Sequence, residues 1–71
     1  MKLEDAKVGK LVKGLDFGEP RYGFIVGETH EIGAEVFAPV LDFQGGTRWL
    51  SVESMQLAWV NSLTGMFEVL P

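Results

Sequence analysis

The apolar and polar residues are most clearly patterned between positions 36 and 52, where two apolar-rich runs flank Gly45-Gly46. Both runs are rich in residues that favour β-strands. A Gly-Gly pair between such runs supplies the positive φ angles that a tight hairpin turn demands. The pattern therefore predicts a hairpin with strands at residues 36–44 and 47–51, and we expect the remaining segments to pack against it.

Within the first of these strands, alternate positions place Phe37, Leu41 and Phe43 on the same face as Pro39. A proline cannot donate a hydrogen bond to a neighbouring strand. We therefore expect the strand to lie at a sheet edge, or to carry a bulge, at Pro39.

Other β-rich segments predict further strands at residues 8–13, 22–31, 56–60 and 66–70. Residues 14–21 hold two glycines and a proline and predict a loop, and residues 52–55 predict one helical turn with Ser51 as its N-cap. The chain is therefore predicted to be all-β, with five to six strands and one short helical turn before the fifth strand.

Several of these segments resemble the SH3-like small β-barrel, in particular its Tudor and KOW branches and small uncharacterised phage or bacterial proteins. The segments that carry the resemblance are residues 7–12, 22–26, 40–50 and 51–57. The resemblance implies a single barrel domain over residues 1–71, with residues 61–71 as a C-terminal hairpin extension. Pro39 and this extension depart from the family pattern. The barrel hosts many unrelated activities, so the resemblance indicates a fold more than a function.

Composition narrows the range of functions. The 71 residues include no cysteine and one histidine, so we expect neither a disulfide framework nor a structural zinc site. Six basic against ten acidic residues give a net charge of −4, which disfavours nucleic acid as a partner. No apolar run approaches the roughly 20 residues that cross a bilayer, and we expect a cytoplasmic protein with no membrane partner.

Candidate catalytic chemistry is sparse. His30 is the one side chain suited to general base catalysis near neutral pH, and Glu28 lies two positions before it on the same strand face. Such a pair could orient a base or bind a metal, but a solvated strand end is the simpler interpretation. No phosphate-binding glycine loop or serine nucleophile motif is present. We therefore predict no enzyme activity, no catalytic or metal site and no cofactor.

The Tudor resemblance implies an aromatic pocket for a methylated amine. Four rings could line it, with Asp42 or Glu19 supplying negative charge: Phe17, Tyr22, Phe43 and Trp49. The alternative is that these rings belong to the core or to its rim.

The last two predicted strands are apolar on both faces. A barrel strand uses one face for the interior, so the second face has to meet something else. Either the sixth strand and Leu3 cover it, or another copy of the chain does. Five residues are predicted to form that contact surface: Leu57, Trp59, Met66, Phe67 and Leu70.

From these observations the sequence predicts a non-enzymatic protein-interaction or assembly module that forms a homo-oligomer. A Tudor-type ligand-binding module is the alternative, and a KOW-like RNA-binding module is the weakest of the three because it needs a basic face.

Overall fold

Seven antiparallel strands form one sheet that does not close on itself. The structure is a computed structural model, and it describes residues 1–70. The sheet order is β3-β4-β2-β1-β6-β7, and β5 pairs with β4 on the edge opposite β2. A short 3-10 helix at Leu3–Asp5 precedes the strands, which are β1 Leu11–Asp16, β2 Glu19–Ile25, β3 His30–Ile32, β4 Glu35–Asp42, β5 Thr47–Ser51, β6 Gln56–Asn61 and β7 Met66–Val69.

The all-β prediction is confirmed, but the strand count and several boundaries differ. The predicted strand at residues 22–31 is divided into β2 and β3, which raises the count to seven. The predicted loop at residues 14–21 was wrong, because β1 and β2 continue to a two-residue turn at Phe17-Gly18. Both turn residues have positive φ, 51° and 83°, as in the hairpin turns that match the twist of paired strands.

Residues 52–55 form one hydrogen-bonded turn rather than a helical segment, with the Met55 N–H donating to the Val52 carbonyl at 3.1 Å. The 3-10 helix at the start of the chain is the one helical element among residues 1–70. No helix in this described part of the chain has the length and apolarity needed to span a membrane.

The predicted hairpin between β4 and β5 is present, and a carboxylate helps to build its turn. Gly45 has a φ of 88°, as a tight turn requires. The Asp42 side chain accepts hydrogen bonds from the backbone N–H groups of Gln44 and Gly46, both at 2.9 Å. The turn therefore depends on Asp42 as well as on the glycines.

Pro39 lies inside a strand with neighbours on both edges rather than at the sheet edge. On one edge β4 pairs with β5 along its length. On the other it pairs with β3 and then with β2, and Pro39 faces the break between them. The Pro39 carbonyl accepts a hydrogen bond from Val26 at 3.0 Å, so its missing N–H points into this break. The strand tolerates the proline because no partner strand needs its N–H there.

The core lies on the inner face of the strands. Alternate residues of β1, β2, β4 and β5 point to it, and the turn before β6 adds two more. The buried apolar residues are Ala6, Val12, Ile25, Ala38, Val40, Leu50, Val52 and Met55. Met1 packs against this cluster, and its amino group donates to the carbonyls of Val52 and Glu53 at 3.3 Å, which fastens the start of the chain to the turn before β6.

Candidate interaction face

The outer face of β2, β3, β4 and β5 is apolar and aromatic. Because successive side chains alternate between faces, the residues between the buried ones point outwards. The strand register aligns them in rows across the sheet. We call this surface the aromatic face, and it consists of Tyr22, Phe24, Val26, His30, Ile32, Phe37, Pro39, Leu41, Phe43 and Trp49.

Much of the aromatic face is open to solvent. Six of its large apolar residues are between 40% and 67% exposed: Phe24, Val26, Ile32, Leu41, Phe43 and Trp49. Taking about 200 Å² for each such residue when fully exposed, they present roughly 600 Å² of apolar surface. That lies at the upper end of the largest patches on ordinary monomers, which are often functional.

Ring contacts fix the geometry of the face. Phe24 meets Phe43 edge to face, with centroids 5.7 Å apart, and His30 meets Trp49 in the same way at 5.0 Å. Phe67, from β7, stacks on Tyr22 at 5.2 Å and on Phe43 at 4.7 Å. Such pairs restrain one another beyond simple area burial. The C-terminal hairpin therefore contacts one end of the face, and the remainder stays uncovered.

Charged side chains are nearly excluded from the face. Glu35, paired with Ile32 at one extremity, is the one acidic residue on its outward positions within the described strands. At the opposite end Lys13 flanks the face beside Tyr22, and the other charged residues there point inwards and bond to one another. Water can thus be removed from most of the face without burying a charge. Burying an unpaired charge is the costly step in forming an interface.

The inward charges form an ionic cluster at one end of the core. Arg48 donates from Nε to Asp42 at 3.0 Å and from Nη1 to Asp16 at 2.7 Å. Arg21 donates to Glu19 at 3.0 Å, and its Nε lies 3.8 Å from Asp16. Each cation of the cluster therefore has two acidic partners.

Hydrogen bonds hold the Asp42 pKa below its ordinary value. The Gly46 N–H is the largest cause, the Arg48 side chain is the next, and burial of the carboxylate partly opposes them. The same hydrogen bond to Asp42, with the charge of Asp16, raises the pKa of Arg48. Both groups are therefore charged at neutral pH. They lie at one end of the core, where each charge has a neighbouring charge of opposite sign.

A concavity beside one end of the aromatic face is modest in size. It measures about 210 Å³ and is lined by Pro20, Arg21, Tyr22, Asp42, Phe43, Gln44 and Phe67. Pockets that enclose small molecules usually exceed about 300 Å³. The surface is therefore better shaped for a flat contact than for enclosing a ligand.

The four rings predicted to form a ligand pocket do not share one concavity. Tyr22 and Phe43 are neighbours, bridged by Phe67. Trp49 lies two rows of paired residues away from Tyr22 and Phe43, roughly 13 Å along the strands, where its ring contacts His30. Phe17 is fully exposed at the β1–β2 turn. The structure thus brings two of the four together.

The five residues predicted to form a contact surface are divided between the two faces of the C-terminal hairpin. Register places Phe67 on the face opposite Trp59, Met66 and Leu70. Those three are 42%, 65% and 46% exposed. Leu57 shares their side and packs against the core cluster. Leu3, predicted as a cover for this surface, is itself 55% exposed.

The exposed side of the hairpin also carries polar groups. Glu68 lies opposite Trp59, and its Oε2 accepts a hydrogen bond from the Asn61 side chain at 3.0 Å. This side is therefore smaller than the aromatic face and is interrupted by a charge.

Sequence reasoning missed Phe24, Val26 and Ile32 as surface residues. Phe24 and Val26 belong to a run of β-forming residues that also contains the buried Ile25. Alternation within that run separates the residues of the two faces, but it does not show which of the two faces is buried.

No three histidine, cysteine, aspartate or glutamate side chains gather into a possible metal site within residues 1–70. His30 contacts the Trp49 ring, and Glu28 lies in the connection before β3.

Comparison with known proteins gives no relatives. No protein-family model matches the chain, and neither curated proteins nor solved structures give a significant match.

Proposed function

We propose that this chain is an SH3-like small barrel that serves as a non-enzymatic assembly module, in which two copies associate through their aromatic faces. The strand order β6-β1-β2-β4-β5, with a single turn between β5 and β6, supports the SH3-like assignment. The open sheet and the β6–β7 hairpin are the features that depart from a simple closed barrel.

The observation that carries the functional proposal is the aromatic face, with its roughly 600 Å² of exposed apolar surface. A stable interface of standard size buries about 800 Å² on each partner, its rim included. The face is thus large enough to form the centre of such an interface. Two sheets packed face to face interdigitate their side chains across a layer about 10 Å thick, as in a β-sandwich.

Electrostatics favour a second copy over a charged partner. The chain has a net charge of −4, but the aromatic face carries almost none of it. A partner recognised through its negative charge, such as nucleic acid, would find few basic groups beside the face. Two identical apolar faces bring no like charges into contact at the centre of a two-fold interface.

The experiment is a measurement of solution mass by analytical ultracentrifugation between about 1 and 100 µM, the range in which modest interfaces form and dissociate. We expect a concentration-dependent dimer. Leu41→Lys places a charge at the middle of the face and is expected to weaken dimerisation by at least about 100-fold, since an unpaired charge would have to be buried.

Met66→Lys is the matched control, because Met66 is an exposed apolar residue on the side of the hairpin opposite Phe67. It is expected to leave the dimer unchanged. A wild-type protein that stays monomeric at 100 µM contradicts self-association. If Met66→Lys dissociates the dimer and Leu41→Lys does not, the interface lies on the C-terminal hairpin and not on the aromatic face.

A further inference from the structure

Strand β5 is an open sheet edge with its backbone groups aligned for a further strand. Among residues 1–70 its one partner strand is β4. Hydrogen bonds join Asp42 to Gly46 and Val36 to Val52 at the two ends of this pairing. Antiparallel pairs alternate between bonded and non-bonded positions, so Thr47, Trp49 and Ser51 direct their N–H and C=O groups away from β4. The proline opposite Trp49 fits this alternation, since no N–H is needed there.

Natural sheets usually protect such edges with charges, prolines or bulges. The residues that face outwards along β5 carry no charge, and no proline interrupts the strand. The one charged residue of β5, Arg48, is turned inwards and held by Asp16 and Asp42. An inward-pointing charge can itself protect an edge, but Arg48 is neutralised by its two carboxylates, so the outward groups of β5 remain available to a further strand.

The other two edges of the sheet are protected. Strand β3 has three residues, and a symmetric pairing of two copies would set Glu31 against Glu31. Strand β7 has four residues, and a symmetric pairing of two copies through its outward-facing N–H and C=O groups would set Glu68 against Glu68. Like charges directly opposite each other destabilise a strand pair. Of the three edges, β5 alone has five residues, carries no outward-facing charge and sets no like charges opposite each other in a symmetric pairing.

We propose that a second copy of this chain pairs with β5 in antiparallel orientation, centred on Trp49. This register sets Trp49 beside Trp49 of the second copy and Thr47 beside Ser51, so an aromatic pair and two hydroxyl pairs form across the axis. Arg48 then lies opposite Leu50, and its charge is already compensated within its own chain. The chemistry of every cross-strand pair is compatible.

This edge contact is separate from the face-to-face contact, and either can fail without the other. Pairing along β5 joins the aromatic faces of two copies side by side and leaves them uncovered. A chain with two different two-fold contacts extends beyond a dimer, because each contact adds a copy that still has the other contact available.

The absence of cysteine makes cross-linking a direct test. The proposed register places position 47 of one copy opposite position 51 of the other, about 5.5 Å apart between Cα atoms, which is within disulfide range. Positions 47 and 47 are roughly 13 Å apart, beyond that range. Under mild oxidation, an equal mixture of Thr47→Cys and Ser51→Cys is therefore expected to form a heterodimer, and neither variant alone a homodimer.

Equal cross-linking in the mixture and in the separate variants, or none in the mixture, would overturn the edge contact. The Leu41→Lys protein, in which the face-to-face dimer is lost, gives a second readout, because the Trp49 amide is directed away from β4 in the single chain. Its hydrogen exchange is expected to slow at least tenfold between about 1 µM and 1 mM, a range over which a weak contact becomes populated.

An unchanged Trp49 exchange rate would also contradict the edge contact. Adding Leu41→Lys to both cysteine variants separates the two proposals. Heterodimer formation is expected to persist in that background even though the face-to-face dimer is lost, and its disappearance would overturn a separate edge contact.

Discussion

The inner and outer faces of β2, β4 and β5 are built from adjacent residues but have opposite surroundings. On the inner face, Ile25, Val40 and Leu50 are almost completely buried. Their outward neighbours Phe24, Leu41 and Trp49 are about half exposed, although they are equally or more apolar. Apolar character therefore does not distinguish the two faces. What distinguishes them is whether the chain itself supplies a cover.

The reason is one of size. A chain of this length buries only about 60% of the surface that its unfolded state exposes. A single small core takes one face of each strand, and the chain has too few further elements to cover the second. The C-terminal hairpin reaches only one end of the outer face, where Phe67 stacks on Tyr22 and Phe43. Inner substitutions are therefore expected to change folding stability, and outer substitutions to change association.

The largest effect on stability is expected from Gly23→Ala. A Cβ at Gly23 would collide with the backbone carbonyl of Leu41 and would come within 2.8 Å of Val40 Cγ1. The backbone of the neighbouring strand cannot move aside, so we expect a loss of at least about 3 kcal/mol, or failure to fold. Urea unfolding measures this loss. Gly46→Ala is the control, since its Cβ meets ordinary 3.5 Å contacts, and an equal loss there would contradict the steric explanation.

A comparison of Ile25→Ala with Phe24→Ala tests the two faces directly. Ile25 is 1% exposed, and its truncation is expected to cost about 2–5 kcal/mol. Phe24 is the next residue but lies on the outer face, and its truncation is expected to cost less than about 1.5 kcal/mol, below the range for fully buried aromatics. Both are measured by denaturant unfolding at concentrations below dimer formation. Similar costs would mean that the outer face also stabilises the monomer.

Acid is expected to weaken the ionic end of the inner face. The pKa of Asp42 is lower in the folded chain than its ordinary value of 3.8, so between the two pKa values the unfolded state binds more protons. The stability due to this carboxylate is complete above the unfolded pKa and is lost as the pH falls through the folded pKa. Unfolding free energies measured from pH 6 down to pH 2 follow this loss.

Asp42→Asn provides the reference for that titration. The difference in stability between wild type and variant is expected to be largest above about pH 5 and to shrink below about pH 4, where protons begin to bind this carboxyl in the unfolded chain. A difference that is constant across this pH range would show that the ionised form is not the stabilising one.

The smallest effect on monomer stability is expected from Leu41→Lys, whose consequence lies in association. Leu41 points to solvent in the single chain, so the free energy of unfolding of the monomer should change by less than about 1 kcal/mol. Thermal unfolding of the dilute protein, followed by circular dichroism, measures this. A large fall in the melting temperature would show that Leu41 is covered within its own chain.

Sequence reasoning located most strands but not the pairing of their edges. The runs around Gly45-Gly46 and at residues 56–60 and 66–70 became β4, β5, β6 and β7 with small shifts of boundary. Residues 14–21 were mistaken for a loop because glycine and proline were given more weight than pairing with a neighbour. The predicted second strand is interrupted after Val26, whose N–H donates to the Pro39 carbonyl while Pro39 has no N–H to donate in return. These two residues are 13 positions apart, so no local pattern contains their contact.

The candidate site likewise has features that the local sequence pattern predicted and features that depend on strand pairing. The alternation within β4 correctly grouped Phe37, Pro39, Leu41 and Phe43 on one face, because that grouping depends only on the two-residue repeat of a strand. It did not predict that Phe24 and Trp49 join them, because their alignment depends on the register of β2 and β5 against β4.

The sequence by itself therefore determined the all-β character, the central hairpin and the absence of cysteine chemistry, since these depend on local propensity and on composition. Only the tertiary structure decided which apolar face is buried, that Phe67 contacts the aromatic face and that β5 is left as an open edge. The physical reason is that a strand's two faces and two edges are locally equivalent, and they become different only when distant strands cover one and leave the other.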